Sequence, residues 1–530
     1  MKEPRAALHL ASKALLGILL AVSTATAGAA EPSQPSGIVV QGSRVYDPVR
    51  DGDPVVNNLQ RRTFRFFWQT ANGTNGLVPD RFPSPSFASI AGIGYALTAY
   101  VVGVERGYVS RAQARLRTLR TLRFLAQLPQ GPEESGVAGY RGFYYHFLHM
   151  NNGQRFETTE LSTVDTALLL AGVLLAQTYF DGDNRSEREI RRLASQIYER
   201  VDWVWAQNGG TTISLGWRPE SGFIPFDWRG YNEAMLLYIL ALASPTHPVE
   251  PAAWGEWTKT YKESWGTFSG QEFLAFGPMF GHQYSHVWID FRGIQDEFMR
   301  EKGIDYFENS RRAAYAQREY ARNNPMRWRG YDGEIWGLTA CDGPANTVQI
   351  FDNEERGFFT YMARGTAAPQ VVDDGTIAPT AAVGSIPFAP EIVIPTIRAF
   401  RARFGQHLYQ RYGFLDAVNP SFTFGDVPLR HGRIVENVGW VATDYLAIDQ
   451  GPIVAMIENY RSGLIWTIMK RNPYIRRGLE RAGFTGGWLG PGAQTPGGQG
   501  DEGSDGRDEG DEGDEGQKEE SSEAPLTGTR

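Results

Sequence analysis

Apolar and amphipathic segments alternate along most of this chain. One set is apolar nearly all round, as in AGIGYALTAYVVGV and DTALLLAGVLLAQTYF, which is typical of helices buried on every side. The other set repeats its apolar positions about every 3.6 residues and keeps a solvated face, as in SRAQARLRTLRTLRFLAQL. The pattern predicts buried helices at 87–104, 163–180, 231–243, 285–300, 391–404 and 451–470. It predicts amphipathic helices at 55–70, 110–128, 185–207, 253–268 and 304–323.

Buried and half-exposed helices that take turns along a chain fit two concentric rings, with the buried set inside. We therefore expect an all-α fold, an (α/α)6 barrel with long loops. Short strands are expected in 208–228 and 325–392. The alternatives are a less regular all-α fold and an α-solenoid, but no fixed repeat period supports a solenoid.

The two ends of the chain differ in composition from the part between them. Residues 1–30 join basic residues, the short apolar run ALLGILLAV and the small residues TATAGAA, which predicts a signal peptide cleaved near Ala30. The run is too short to span a bilayer, and an uncleaved membrane anchor is the alternative. Residues 31–55 are expected to form a flexible leader, and the Gly- and acid-rich residues 490–530 a disordered tail. The folded domain is then 56–489, in a periplasmic or secreted protein with no membrane span after signal removal.

Charge and cysteine content narrow the class of protein. The formal net charge is −8, and most of the excess of acids lies in 501–530, so the folded part is near neutral and a nucleic-acid partner is not expected. Cys341 is the one cysteine, so no internal disulfide can form. We expect Cys341 to be a small buried residue, because no motif of a cysteine hydrolase surrounds it. The 14 Trp and 23 Tyr suit sugar rings as well as a helical core.

Acidic residues stand at the starts of three predicted buried helices. In a double ring, the beginnings of the inner helices converge on one rim, so Asp165, Glu233 and Glu391 are candidates for a shared site. Acids in a first turn also cap helices and interact with the helix dipole, which is the competing interpretation of Asp165. Glu233 lies between an aromatic, Gly-rich segment and an apolar run, a setting that raises the pKa of a carboxyl group.

The segment FGPMFGHQYSHVWIDFRGIQDEF is the richest in polar and aromatic groups. His282, His286 and Asp290 recur every four residues, so a metal site on one helical face is one interpretation, although no HExxH pattern supports it. We favour contacts with sugar hydroxyl groups instead, so no metal is expected. The substrate-binding candidates in this segment are His282, Tyr284, His286, Trp288, Asp290 and Arg292.

Several turns supply further acids and aromatic groups. GLVPDRF contains Asp80 and Arg81, and WGLTACDGP contains Trp336 and Asp342. Glycoside hydrolysis needs two carboxyl groups, one protonated and one ionised, about 6.5–9.5 Å apart in inverting enzymes, and acids from different inner helices can satisfy this. The chain lacks the GxSxG elbow of serine hydrolases, the P-loop and the dinucleotide-binding motif.

From about Leu59 to Asn472 the chain resembles the glucoamylase-like domain of glycoside hydrolase family 144, whose characterised members act on β-1,2-glucan. The segments that carry the resemblance are GLVPDR, STVDTALLLAG, YNEAMLLYILALASPTHP, FGPMFGHQYSHVWIDFRG, WGLTACDGP, YGFLDAVNP and IDQGPIVAMIENYRSGLIW. The resemblance implies an (α/α)6 barrel, no metal dependence and an inverting mechanism with two carboxylates. No cofactor is expected.

The resemblance also assigns roles. It places Glu233 as general acid and implies Asp416 as general base or water-positioning acid, with Asp449 as the rival. Glu160 and Asp165 would contribute to the pocket. The candidates for stacking on sugar rings are Trp217, Trp228, Tyr284, Trp288 and Trp336.

We therefore expect an endo-acting β-1,2-glucanase whose partner is a polysaccharide or oligosaccharide substrate. The alternatives are an exo-acting or arabinan-cleaving glycosidase of the same fold, and a glucan-binding protein without activity. The sequence does not indicate an oligomeric state.

Overall fold

The computed structural model of the chain describes residues 52–367 and 371–490. The predicted signal peptide, leader residues 31–51 and tail residues 491–530 lie outside the described residues. Among the described residues the first helix begins at Pro54 and is capped by the side chain of Asp53, so two residues assigned to the leader are helical.

Six buried helices form the inner ring of the described barrel. The helix Met235–Ala243 is buried at every position, as its sequence MLLYILALA predicts. The ring closes because neighbouring inner helices contact one another. Between Tyr284–Trp288 and Pro379–Val383 the link is a hydrogen bond, which the side-chain amide of Gln283 donates to the carbonyl of Ala381 at 2.7 Å. The inner helices are Ile90–Glu105, Thr163–Tyr179, Met235–Ala243, Tyr284–Trp288, Pro379–Val383 and Ala447–Ser462.

The outer ring contributes one amphipathic layer per inner helix. Its members are Pro54–Thr70, Arg111–Gln127, Arg185–Glu199, Ala252–Thr258 with Tyr261–Ser264, Tyr306–Asn323 and Pro390–Leu408. The remaining described helices are Trp203–Ala206, Glu297–Lys302, Leu464–Lys470 and Pro473–Arg481, with 3-10 turns at Met279–His282 and Gly487–Leu489. The predicted all-α (α/α)6 barrel is confirmed.

Three of the predicted buried helices differ from the structure. The segment 391–404 belongs to the outer ring, because Pro390–Leu408 buries one face only, and the short helix Pro379–Val383 is the inner member of that pair. The predicted helix 285–300 ends at Trp288, where Ile289 turns to extended backbone. The predicted helix 451–470 begins earlier, at Ala447, and stops at Gly463, which has φ 65°.

Two of the predicted outer helices are also shorter than expected. The segment 185–207 divides into Arg185–Glu199 and Trp203–Ala206, and 253–268 ends in a strand from Trp265.

A buried ionic network joins the two ends of the barrel sequence. Glu458, on the last inner helix, accepts from Arg106 at 2.7 and 2.6 Å and from Gln60 of the first outer helix at 2.9 Å. The Glu458 side chain is fully buried, so its carboxylate has lost its hydration. The hydrogen bonds from these donors offset that desolvation penalty. The network closes the ring where its first and last helices meet.

Two inner helices approach each other backbone to backbone. A Cβ at Gly94 would lie 2.3 Å from the carbonyl oxygen of Leu168, and one at Gly172 would lie 2.1 Å from that of Gly94. Only glycine permits this contact between Ile90–Glu105 and Thr163–Tyr179.

The strands are short, antiparallel and confined to connections between helices. They pair as Arg81–Phe82 with Tyr445–Leu446, Ala88–Ser89 with Phe147–Leu148, Gly139–Tyr140 with Phe143–Tyr144, Trp265–Phe268 with Gln271–Leu274, Ile294–Gln295 with Thr485–Gly486, Ala340–Cys341 with Met362–Ala363, Thr347–Phe351 with Glu354–Phe358 and Tyr409–Gln410 with Gly413–Phe414. Two sheets have three strands, Leu161–Ser162 with Gly216–Arg218 and Gly222–Phe223, and Val418–Asn419 with Gly439–Val441 and Arg433–Val435. Strands were expected in 208–228 and 325–392, but they also occur outside these segments.

Membrane-spanning helices were also sought in the described part of the chain. Among the helices of 52–367 and 371–490, none combines the length and the hydropathy needed to cross a bilayer.

Candidate active site

The starts of the inner helices bring acidic side chains to one rim of the barrel. Asp165 lies in the first turn of Thr163–Tyr179, and Asp449 lies in the first turn of Ala447–Ser462. Glu233 precedes its helix by two residues. The rim predicted from the sequence therefore exists, although Glu391 is not part of it. Glu391 lies on the outer ring, half exposed and paired with Arg311 at 2.8 Å.

The cap of the helix that carries Asp165 comes from a neighbouring serine. The Ser162 hydroxyl accepts from the Asp165 backbone N–H at 3.2 Å and donates to the Asp165 carboxylate at 2.6 Å. Ser162 caps the helix, and this leaves the Asp165 carboxylate available to other groups at the rim.

Glu233 has the environment of a proton donor. Part of its surface is accessible, but its Oε2 atom is buried and has no hydrogen-bond partner within the protein. Burial, with a smaller contribution from the charge of Asp165, raises the pKa of Glu233 to about 7. A carboxyl group with this pKa holds its proton near neutrality and can release it to a substrate.

Asp416 and Asp449 form a buried carboxyl pair, and each side chain leaves one oxygen without a partner. The Asp342 backbone N–H donates to Asp416 Oδ2 at 2.7 Å, which favours the ionised form of Asp416. Burial and the charge of Asp342 raise the pKa of Asp416 to about 7, and burial and the charge of Asp416 raise that of Asp449 much further. The two carboxyl groups titrate together, and the pair retains a proton near neutrality.

Arg81 organises three carboxylates next to this pair. Its guanidinium group lies 2.9 Å from Asp342, 3.5 Å from Asp444 and 3.7 Å from Asp80. Burial raises the pKa of Asp80 although the charge of Arg81 opposes it. Burial also acts to lower the pKa of Arg81, but the carboxylates, Asp342 first, outweigh it and raise that pKa. Arg81 thus fixes Asp342, whose backbone in turn holds Asp416.

Three tyrosines border the carboxyl groups. The charges of Asp449 and Glu233 contribute to raising the pKa of Tyr284. Those of Asp449, Asp416 and Asp80 contribute to raising the pKa of Tyr361. The hydroxyl of Tyr95 is buried without a partner beside Asp449 and Asp165. Burial is the main cause that raises the pKa of all three, so they remain neutral hydrogen-bonding groups. Of these, the sequence pointed only to Tyr284.

A second charged cluster lies around Glu160 and Asp165. The imidazole of His146 contacts Glu160 through Nδ1 at 2.9 Å and Asp165 through Nε2 at 3.5 Å. Arg218 lies 3.3 Å from the other oxygen of Glu160. Neither His146 nor Arg218 was predicted from the sequence, although a histidine inside the aromatic run FYYHFLHM was a signal that a polar partner faces it.

Four residues of the central segment do not reach the carboxyl groups. His282 contacts the carbonyl of Phe276, and His286 faces outward to Ser310 on the outer ring. Burial is the main cause that lowers the pKa of both histidines to about 3, so both are neutral. Asp290 and Arg292 follow the end of their helix, where they pair with each other and Asp290 with Lys470.

These placements correct two expectations. His282, His286 and Asp290 do not share one helical face, because a 3-10 turn ends at His282 and the helix ends at Trp288. Asp290 and Arg292 lie at the rim opposite to the helix starts, so they do not join the carboxyl site. Within the described residues, no group of three His, Cys, Asp or Glu side chains is arranged to hold a metal ion.

The candidate tryptophans are mostly packing residues. Trp228 donates to Thr163 and Trp288 donates to Thr98, and both are buried, as is Trp336. Trp217 is half exposed and packs against Tyr140, on a strand paired with Leu161 next to Glu160. Trp217 is thus the one of these four with accessible surface beside the rim. Cys341 is buried, as expected.

Sequence and fold comparisons show which known proteins this chain is similar to. The family model described as "Putative glucoamylase" matches residues 225–473. A solved Bacteroides uniformis protein of the same description is 32% identical, with a TM-score of 0.70 over 82% of this chain and 98% of that one. The endo-β-1,2-glucanase of Chitinophaga pinensis, solved with sophorotriose and glucose, is 28% identical with a TM-score of 0.69, over 81% of this chain and 98% of that one.

A curated relative is longer than this chain. The exo β-1,2-glucooligosaccharide sophorohydrolase of Parabacteroides distasonis is 26% identical over 466 residues, which is 82% of this chain and 58% of that protein. This chain thus spans less than two thirds of its length. On the fold, the rim carboxyl groups and these similarities, the chain belongs to the glucoamylase-like family of (α/α)6-barrel glycoside hydrolases, family 144.

Proposed function

We propose that this protein is an endo-acting β-1,2-glucanase that inverts the anomeric centre. The observation that carries the proposal is that one rim holds both a carboxyl group with a raised pKa, Glu233, and the buried carboxyl pair Asp416 and Asp449. Two relatives support the substrate, since both are named for β-1,2-linked glucose. Endo action is supported by the Chitinophaga enzyme, because this chain covers nearly all of that protein but only 58% of the exo-acting one.

In the proposed reaction, Glu233 donates its proton to the leaving glycosidic oxygen as the bond to the anomeric carbon breaks. Water attacks that carbon from the opposite face, and Asp416 accepts the proton of the water directly or through a substrate hydroxyl group. Asp449 remains protonated and donates to Asp416. The products are two shorter glucans, and the proton on Asp416 returns to Glu233 through solvent.

The first experiment compares wild type with Glu233→Gln on linear β-1,2-glucan, measuring reducing ends and product sizes. Loss of the proton donor should lower kcat by about 10²–10⁴-fold. Glu391→Gln is the matched control, because Glu391 is an exposed acid at a helix start away from the rim, and it should leave kcat unchanged. Full activity in Glu233→Gln would refute the assignment of the acid.

A second pair of variants tests the base. Asp416→Asn should cost more activity than Asp449→Asn, since an amide at 449 still donates a hydrogen bond as the protonated carboxyl does. The opposite order would transfer the role of base to Asp449.

Product size and binding separate the alternatives. A mixture of oligosaccharides from the first turnovers indicates endo action, whereas a single disaccharide product indicates an exo-acting enzyme. Binding of glucan by a folded wild type without new reducing ends would indicate a glucan-binding protein. Release of sugar from arabinan instead would correct the substrate.

We also propose that the protein is exported to the periplasm or beyond, on the basis of the basic, apolar and small-residue order in 1–30. N-terminal sequencing of the protein from its source cells should find a mature chain that begins near residue 31. A chain that begins at Met1 and is found in the cytoplasm would refute the proposal, whereas one that begins at Met1 in the membrane would indicate the uncleaved anchor.

A further inference from the structure

His146 lies against the strand that leads into the rim. Its backbone N–H donates to the carbonyl of Glu160 at 2.9 Å, so the residue is aligned with the segment that carries the Glu160 side chain. Its ring stacks on Phe147, with 3.9 Å between the ring centroids. The imidazole is therefore held in one orientation, with 15% of the side chain exposed.

Both ring nitrogens of His146 face carboxylates. Nδ1 lies 2.9 Å from Glu160 Oε1, and Nε2 lies 3.5 Å from Asp165 Oδ2. A neutral imidazole carries one N–H, so its other nitrogen would turn a lone pair toward a carboxylate oxygen. Only the imidazolium form, with two N–H groups, satisfies both neighbours.

We propose that His146 is a positioning residue whose imidazolium group bridges Glu160 and Asp165 and holds both as ionised acceptors for substrate hydroxyl groups. The inference deepens the proposed hydrolysis and rests on it. With Glu160 and Asp165 both ionised, Glu233 is the protonated carboxyl on its side of the rim.

The charges around His146 agree with this role. Glu160, Asp165 and Asp80 face the ring, and Arg218 is the second cation on Glu160. Burial acts to lower the pKa of His146, but Asp165, Glu160 and Asp80 together raise it to about 9. Burial likewise acts to raise the pKa of Glu160, but the hydrogen bond from His146 lowers it below its usual range.

The protonation state of the His146 imidazole can be measured without an activity assay. Full-length protein with ¹⁵N-labelled histidine is titrated by NMR, and the His146 signals are assigned by their loss in His146→Gln. We expect both ring nitrogens to remain protonated at pH 7 and to titrate near pH 9. A neutral ring at pH 7 would overturn the proposal, whatever the substrate of the enzyme.

The positioning role is read from the pH dependence of kcat/KM on β-1,2-glucan. In His146→Gln the pKa of Glu160 should rise. Asp416, with a pKa of about 7, sets the acid limb in both proteins, so we expect protonation of Glu160 to steepen this limb in the variant and the maximum of kcat/KM to fall at least about tenfold. His149→Gln is the matched control, because His149 is exposed three residues away. A loss of activity with no change in the slope of the acid limb would indicate a merely structural residue and overturn the role.

The two failures are distinguishable. If wild type does not cleave β-1,2-glucan but cleaves another glycan, the proposed substrate is wrong and the same profiles are measured on that glycan. If wild type cleaves no glycan while the NMR titration shows a charged His146, the bridge stands and its catalytic role is refuted together with the proposed function.

Discussion

Glu233 combines an accessible surface with an unpaired, buried oxygen, and this combination is costly to the fold. The protein keeps a carboxyl group where its ionised form is poorly solvated, and the raised pKa of about 7 measures that cost. The same environment that makes Glu233 a proton donor near neutrality makes it destabilising above pH 7. Acid strength and stability are therefore linked at this residue.

Glu233→Gln should be more stable than wild type at alkaline pH. The folded-state pKa is raised, so the folded protein binds a proton that the unfolded chain releases between about pH 4.3 and 7. Wild-type stability should therefore fall relative to the variant as the pH rises through this window and stay constant above it. The difference should reach up to about 4 kcal/mol, from about 2.7 pKa units at about 1.36 kcal/mol each. Urea unfolding of both proteins at pH 5 and pH 8 measures it, and an equal difference at the two values would contradict it.

The activity of wild type should decline in the same range. Loss of the proton from Glu233 should give kcat/KM an alkaline limb with an apparent pKa near 7. A flat profile from pH 6 to pH 9 would show that another group donates the proton.

At the scale of the elements, the contact between Ile90–Glu105 and Thr163–Tyr179 sets the position of Asp165. Gly172→Ala should separate the two helices, because its new methyl group would meet the Gly94 carbonyl at 2.1 Å. We expect a loss of about 1–3 kcal/mol in the free energy of unfolding and reduced activity.

The control is Gly255→Ala, in the outer helix Ala252–Thr258. A Cβ there meets nothing within 4 Å, so the higher helix propensity of alanine should leave stability unchanged or raise it by up to about 1 kcal/mol. Equal stability of both variants in thermal unfolding would contradict the account of the helix contact.

The long helices could be predicted because their patterns extend over four or five turns. Pro379–Val383 could not be predicted, since five residues are too few to show a period. The apolar run EIVIPTI beside it was predicted as the buried helix instead, although it belongs to an outer helix. The hydrophobic pattern also does not indicate the residue at which a buried helix ends. Ile289 is as apolar as the residues before it, yet its backbone is extended.

The same limit applies to the site. The convergence of Asp165 and Glu233 follows from the double ring, so the sequence anticipated it. The third acid expected there, Glu391, lies on the outer ring instead, and Asp449 was named only through the family resemblance. The pairing of Asp416 with Asp449 depends on a loop that folds back over 33 positions, and the bridge at His146 depends on strand pairing. Neither leaves a periodic trace in the sequence.

At the scale of the whole molecule, charge should have little influence on encounters with substrate. The formal net charge is −8, whereas the proposed glucan is neutral, and the carboxyl groups and ion pairs of the rim are mostly buried. Long-range steering by charge requires a charged ligand, and salt screens buried pairs weakly. We expect kcat/KM on β-1,2-glucan to change less than about twofold between 50 and 500 mM NaCl, because salt screening has little effect on the encounter with a neutral ligand. A steep decline would indicate an anionic or cationic substrate and contradict the proposal.

The double ring separates the parts of the protein that must be conserved for chemistry from those that are free to diverge. Glu233 and Asp449 are attached to inner helices whose packing is closed on all sides, while short hairpins such as Thr347–Phe351 with Glu354–Phe358 form in the connections. We expect insertions, deletions or grafts in such hairpins to change which length of the proposed glucan substrate is accepted without moving Glu233 or Asp449. For protein engineering, the barrel is thus a constant framework. We expect that exchanging one hairpin at a time would alter the chain length that the proposed glucanase prefers.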